Sequence, residues 1–203
     1  MLDVPGTTNI ECQRRIWWLA EYFRSHAGVR EIVPGMNNLT VELDPAAPDL
    51  ENLLEALQAG WSRSEAVDHQ SRRIEIPVRY GGAEGPDLDE VARHSGLSRE
   101  EVVRLHQAGE YTVYFLGFQP GFAYLGGMDR RLATARRKDP RVAVPAGSLA
   151  IGGEQTGIYP SAAPGGWQLI GRTSVALFDP ARDPPSLLLP GDTVRFVNSG
   201  GAQ

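Results

Sequence analysis

At 203 residues the chain is long enough for one large domain or two small ones, and its 41% hydrophobic and 22% charged composition is that of an ordinary soluble globular protein. A net charge of -5 and a pI near 5.4 argue against a general role on nucleic acid or on a membrane surface. Cys12 is the single cysteine, which excludes an internal disulfide and a cysteine-based zinc site and suits a reducing compartment.

No run approaches the ~18 continuous apolar residues of a membrane span. The start, "MLDVPGTTNIECQRR", has no basic region leading into an apolar core, so a cytoplasmic location is expected. Ile16, Leu19, Ala20 and Phe23 recur at helical spacing and predict a helix from Ile10 to Ser25. Val29 to Asp44 reads as two strands around the turn-forming Pro34-Gly35-Met36-Asn37-Asn38. "DLENLLEALQAGW" is a second amphipathic helix, with Gly60 as its stop. "WSRSEAVDHQSRR" is polar and aperiodic and marks a domain boundary, dividing the chain into 1–70 and 71–203.

From Ile74 the pattern changes. "RIEIPVRYGG" alternates like a strand. Two short helices follow, "PDLDEVARHSG" and "SREEVVRLHQAG", the second opened by Ser98 with Glu101 three residues on. "YTVYFLGF" is strongly β-prone, and beyond Phe118 short strands alternate with Gly/Pro turns, the pattern of a barrel or sandwich. The expected architecture is α+β in the N-terminal domain and mainly β in the larger C-terminal one, with two inserted helices.

Several motifs fail on inspection. Gly152 to Gly157 has the glycine spacing of a phosphate loop, but Ile158 and Tyr159 stand where Lys and Ser/Thr are needed. Ser148 lacks the flanking glycines of a nucleophile elbow, having Ala146 and Ala150 instead, and reads as a strand-end serine. The histidines, His26, His69, His94 and His106, show no metal-ligand spacing, and His94 and His106 are expected on the exposed faces of the two short helices; no metal is assigned. The helix pair 89–106 imitates a helix-turn-helix, but Glu100 and Glu101 at the start of its second helix would repel phosphate.

Three features remain. "GGEQTGIYPSAAPGGW" (152–167) is too rich in Gly and Pro for a helix, while Ile158, Tyr159 and Trp167 want burial; an ordered loop whose backbone closely approaches something is expected. Arg130, Arg131, Arg136, Arg137, Lys138 and Arg141 form a basic patch, which reads either as a solvated loop or, for Arg137 and Arg141, as a site for a carboxylate or phosphate. Gln119 sits at the tip of a turn between Phe118 and Phe122, where a turn alone does not need glutamine, so a ligand contact is expected there.

"FLGFQPGFAYLGGM", "RVAVPAGSLAIGGEQTGIYPSAAPGGWQLIGRT" and "ALFDP…PGDTVRFV", with "PGMNNLTV" and "EIPVRYGGAEGPDL" earlier in the chain, resemble the family of 5-oxoprolinase B subunits. That family is also called allophanate hydrolase subunit 1, and it includes the histidine-kinase-inhibitor (Kip) proteins. The resemblance implies a cyclophilin-like β-barrel after a small α/β domain. It also implies a heteromer in which the B subunit joins the C subunit directly and acts with the A subunit to hydrolyse 5-oxoproline to glutamate using ATP, at a site shared with the partner and inactive in the B subunit alone. The alternatives within the same resemblance are an inhibitor of a sensor histidine kinase and a subunit acting on urea or allophanate.

Carried onto this chain, the resemblance gives a substrate groove on one barrel face. Its candidates are Gln119, Ser148, Gln155, Thr156, Tyr159, Trp167 and Arg172, to which the basic patch adds Arg137 and Arg141. Gln119 and Gln155 each offer an amide donor and acceptor to a lactam, Arg141 and Arg172 would meet a carboxylate or phosphate, and Tyr159 and Trp167 would be pocket walls or plain core. Gly121, Gly147, Gly152, Gly153, Gly157, Gly165 and Gly166 would let backbone come close to the ligand. No residue is an evident general base or nucleophile. At the N terminus the family's first strand is apparently absent, which would leave an edge of the N-terminal sheet uncovered in a chain that is truncated or completed by a partner.

Overall fold

In the computed structural model, which describes residues 2–3, 9–46, 50–63 and 71–200, the chain divides into two units, 1–70 and 71–203. The first holds β1 (Leu2–Asp3), α1 (Ile10–Phe23), β2 (Val29–Pro34), β3 (Asn38–Leu43) and α2 (Leu50–Arg63). Asn9 starts α1 because its side-chain oxygen accepts from the Cys12 N–H at 2.7 Å. Ile16, Leu19, Ala20 and Phe23 of α1 bury with Leu39 of β3 and Leu53 of α2.

Two expectations are corrected here. A short first strand is present: Leu2 and Asp3 pair antiparallel with Leu39 and Asn38, so the sheet order is β1-β3-β2 and the start of that edge of β3 is paired. Gly60 does not end α2, which runs on to Arg63. A Cβ at Gly60 would lie 2.9 Å from Leu19 Cδ2 and 3.2 Å from the Phe23 ring, so the glycine serves close approach of the two helices. The polar segment assigned to the boundary lies largely in 64–70, outside the described residues, as does His69.

The second unit is a closed barrel. Its elements are β4 (Arg73–Tyr80), α3 (Leu88–Ser95), α4 (Arg99–Ala108), β5 (Tyr111–Leu116), β6 (Ala123–Gly126), β7 (Arg141–Val144), β8 (Ser148–Gly152), β9 (Gln155–Ile158), β10 (Ala163–Gly165), β11 (Gln168–Arg172) and β12 (Thr193–Asn198). Seven strands close in the order β11-β4-β12-β5-β6-β9-β8, and β7 and β10 pair as a separate ribbon. The β12–β4 pairing is parallel, from Thr193 opposite Arg73 to Asn198 opposite Val78.

Strand alternation builds two layers. Leu149, Ile151 and Ile158 join the main core with Ile76, Val78, Val113 and Phe196. Ala150, between Leu149 and Ile151, belongs instead to a second cluster with Phe122, Val144, Tyr159, Trp167 and Leu169, against which Tyr124 packs. The capping box of α4 forms as its spacing predicts: Ser98 Oγ accepts from the Glu101 N–H, and the Glu101 carboxylate accepts from the Ser98 N–H.

Candidate functional site

The outer cluster is an aromatic face. Phe122 packs edge-to-face against Tyr159 at 5.4 Å between centroids and against Trp167 at 5.6 Å, and Tyr124 meets Trp167 at 5.9 Å. Tyr124 also stacks on Phe115 at 4.3 Å. Tyr159 and Trp167 are buried, so they are the backing of the face and part of the core together.

The glycines of the loop are explained by this layer. A Cβ at Gly152 would stand 2.4 Å from the Trp167 ring, one at Gly165 would stand 2.3 Å from the Tyr159 hydroxyl, and one at Gly157 would stand 3.0 Å from the Ala123 carbonyl. At Gly147 and Gly121 the same atom would meet the Thr173 carbonyl and Phe178. The close approach is made by the protein's own rings and carbonyls. Gly153 differs: it has open space around it and a φ of +66°, so it is there for the turn. Gly166 has only ordinary contacts, with Pro140 and Arg137.

The arginines are held by a residue that sequence reasoning missed. Asp87 is buried at the position just before α3, yet its side chain does not cap that helix. Its Oδ1 accepts from Arg141 Nη2 at 2.7 Å and from Arg137 Nη1 at 3.2 Å, and its Oδ2 accepts from the Leu169 N–H at 2.7 Å. Of the two readings of the patch, neither holds unmodified for this pair: Arg137 and Arg141 are both ion-paired to Asp87, Arg141 the more buried of the two. Arg141 Nη1, however, is buried without a partner among the described residues, and so is Gln155 Nε2. Each is a donor that folding leaves unmatched, at a cost of about 1–3 kcal/mol. Arg136 lies over the Trp167 ring at 5.7 Å.

The other candidates are placed as follows. Gln119 donates to the Ser161 carbonyl at 3.3 Å and accepts from Ser161 Oγ at 2.9 Å, so both ends of its amide bridge two turns. Arg172 donates to the Ala146 carbonyl at 2.8 Å and stands 3.5 Å from Glu84. Ser148 is buried at the head of β8. Thr156 points into the barrel, away from Gln155 and the aromatic face, because side chains alternate along β9.

Thr156 meets the second missed residue. His106 is not on an exposed face; it is fully buried, because α4 packs that side onto the barrel. Its Nε2 lies 3.0 Å from Thr156 Oγ1, and its Nδ1 lies 2.9 Å from the Tyr80 hydroxyl. Thr156 donates its one proton to the Ala150 carbonyl at 2.9 Å, so Nε2 carries the imidazole proton and Nδ1 accepts from Tyr80. Burial pushes the His106 pKa down to about 3 and the Tyr80 hydroxyl well above its usual range. The ring is therefore a neutral structural link. Among the described residues no group of three His, Cys, Asp or Glu side chains stands together to hold a metal, and no helix is long and apolar enough to cross a membrane.

Comparison with known proteins agrees with this architecture. The family model of the carboxyltransferase domain, subdomain C and D, matches residues 1–188. The chain is 56% identical over 197 residues to the B subunit of 5-oxoprolinase from Escherichia coli O157:H7, covering 97% of this chain and 90% of that protein. It is 48% identical over 198 residues to the B subunit of 5-oxoprolinase from Haemophilus influenzae, covering 98% and 92%. In the crystal structure of TTHA0988 a region 42% identical to this chain superposes with a TM-score of 0.85, covering all of this chain and 40% of that one. The Kluyveromyces lactis urea carboxylase, at 24% identity and a TM-score of 0.78 over 96% of this chain and 20% of that one, shares the fold. The chain belongs to the carboxyltransferase subdomain C and D family, among its 5-oxoprolinase B subunits.

Proposed function

We propose that this chain is the B subunit of an ATP-dependent 5-oxoprolinase. The reaction opens the lactam of 5-oxo-L-proline to L-glutamate while ATP is cleaved to ADP and phosphate, with water added once to the ring and once to the phosphoryl group. The observation that carries this reading is the near-full-length likeness to a protein of that name. In this reading the barrel is cyclophilin-like, the N-terminal unit is its α+β companion, and the assembly is cytoplasmic.

The geometry supports a role in holding substrate. Gln155 Nε2 and Arg141 Nη1 are donors without acceptors, and a lactam carboxylate supplies acceptors. Asp87 fixes the Arg141 guanidinium through Nη2, leaving Nη1 for the ligand. The packed rings of Tyr124, Tyr159 and Trp167 give this face a rigid apolar backing. Phosphoryl transfer can proceed through positioning and charge stabilisation, and no side chain of this face is an evident base. The C subunit completes the site, the A subunit is needed for turnover, and the chain alone is inactive.

The test is ATP-dependent loss of 5-oxoproline, measured with this chain alone and then together with the C and A subunits. Turnover in the full mixture alone is expected, and Gln155→Ala should lower it about tenfold or more, as removal of one preorganised donor does. An inactive mixture containing a stable B–C complex would overturn the substrate. A Gln155→Ala complex with unchanged kinetics would remove Gln155 from the site.

A further inference from the structure

A cavity of the barrel unit lies away from the aromatic face. It has a volume of about 920 Å³ and opens between the end of β4, the Gly81-Gly82 turn and helices α3 and α4. That is the size of a pocket for a ligand as large as a nucleotide.

Its walls are of two kinds. Leu88, Val103 and the Tyr80 ring line one part. The Tyr80 hydroxyl is engaged by His106 in the core, so the residue offers the cavity carbon surface. Arg79 and Arg104 line the rim. Most arginines of the barrel unit are in ion pairs: Arg72 with Asp192, Arg73 with Glu110, Arg93 with Glu90, Arg99 with Asp89, Arg131 with Asp129, Arg137 and Arg141 with Asp87, Arg172 with Glu84, Arg182 with Asp179 and Arg195 with Glu75. Arg79, Arg104, Arg130 and Arg136 make none with a described residue. Arg136 lies over Trp167, whereas Arg79 and Arg104 share this cavity.

Arg79, Arg99 and Arg104 all line the cavity, and Arg104 also acts on the Glu101 carboxylate, so the lining carries a concentration of positive charge that suits an anion. Asp89 on the same rim is neutralised by Arg99, which leaves Glu100 as the remaining carboxylate of the lining. The Gly81-Gly82 turn adds a wall without side chains: both residues have positive φ, +71° and +54°, and a Cβ at Gly82 would meet nothing within 4 Å. Phosphate is the anion that arginine pairs take best, because each guanidinium presents a fork of donors to its oxygens. The carbon-lined wall beside it calls for a flat or apolar group on the same molecule.

We infer that this cavity is a binding site for an organic phosphate of nucleotide size, its phosphates between Arg79 and Arg104 and its ring against Leu88 and Val103. All its lining lies within the barrel unit, so the inference does not depend on the proposed enzyme assembly and can be tested on the chain by itself.

Calorimetric titration of the purified chain would use ATP, adenosine and inorganic tripolyphosphate as probes. Saturable binding of ATP is expected, with tripolyphosphate and adenosine each weaker. Arg79→Ala and Arg104→Ala should each weaken ATP about tenfold, the loss of one charge-assisted pair, while Arg130→Ala, which removes the same charge elsewhere, should not. The two side chains are at the surface, and far-ultraviolet circular dichroism checks that each variant folds; Arg104→Lys, which keeps the charge and loses the fork, should bind between wild type and Arg104→Ala. Absence of saturable ATP binding would overturn the site. Equal weakening by Arg130→Ala would reduce it to net charge, and tripolyphosphate binding as tightly as ATP would overturn the organic ligand.

Discussion

Arg141 Nη2 donates to Asp87 Oδ1 across 54 residues of sequence at 2.7 Å, and the carboxylate it meets is 5% exposed. Asp87 also receives Arg137 and the Leu169 N–H, so one buried side chain ties the loop before α3 to the basic segment and to β11. Removing it leaves two cations and a backbone donor unmatched. Asp87→Ala should therefore destabilise the barrel by about 3 kcal/mol, the lower end for breaking a buried pair, because the arginines keep some contact with water. Arg137→Ala should cost less than Arg141→Ala, having the longer bond and the more exposed side chain. Urea denaturation of the three variants checks the order; an Asp87→Ala barrel as stable as wild type would show that the cluster holds nothing together.

The buried imidazole makes a pH prediction. His106 has a folded pKa of about 3, below the 6.5 of an unfolded histidine, because burial disfavours its charged form. The unfolded chain thus binds the proton first. The stability that the neutral ring contributes is complete above pH 6.5 and is lost as pH falls toward 3. Between pH 7 and pH 5 this group alone should remove about 2 kcal/mol. His106→Gln will be less stable at pH 7, having lost ring contacts with Tyr111 and Phe196, but its stability should fall less steeply across that interval. Carboxylates titrate lower, so the difference between the two curves isolates His106; parallel curves would mean that the ring takes up its proton as readily in the fold as in the unfolded chain.

Gly152 and Gly153 are adjacent glycines held for different reasons, and they should respond differently to one methyl group. At Gly152 the added carbon enters the Trp167 ring, and overpacking of about 2–3 kcal/mol is expected for Gly152→Ala. At Gly153 there is room, and the cost of about 1 kcal/mol comes from the positive φ. A double-mutant cycle decides between ring contact and backbone strain. With Trp167→Ala the cost at Gly152 should shrink and the cost at Gly153 should stay.

What could be read from the sequence was local. Period-two alternation marked β4, β-prone composition marked β5, and Ser98 with Glu101 marked the start of α4. The glycine loop was legible as ordered and closely approached. What approached it was not, because Trp167 sits 15 residues beyond Gly152 and reaches it only when β8 and β11 pair, Leu169 opposite Ala150. His106 was misplaced for the same reason: on a short polar helix nothing local distinguishes a surface histidine from one that meets Tyr80 and Thr156 in a barrel core. Asp87 offers a misleading local signal, an acidic residue before a helix, while its true partners lie 50 and 54 residues away. Tertiary partners decide the roles of polar residues, and helical or strand periodicity carries no record of them.

Phe118 links backbone strain to the proposed assembly. It has a φ of +67°, in the left-handed region that a bulky residue enters at a cost of about 1 kcal/mol or more, and yet its ring is 60% exposed. Its contacts are edge-to-face with Phe122 at 5.5 Å and Tyr159 at 6.1 Å, which places the ring at the open margin of the aromatic face. Phe118→Asn removes the ring and takes the same φ more easily. In the isolated chain the lost ring contacts and the relieved strain, each about 1 kcal/mol, should nearly cancel, leaving stability within about 1 kcal/mol of wild type. If the face is completed by the C subunit, the exposed ring is a contact that only the assembly uses, and the same variant should weaken B–C binding about tenfold or more, the loss typical of an aromatic contact at an interface. Comparing urea midpoints of the free chain with the B–C dissociation constant separates the two effects. A variant that assembles as tightly as wild type would place the partner elsewhere on the barrel, and one that unfolds would make Phe118 part of the core despite its exposure.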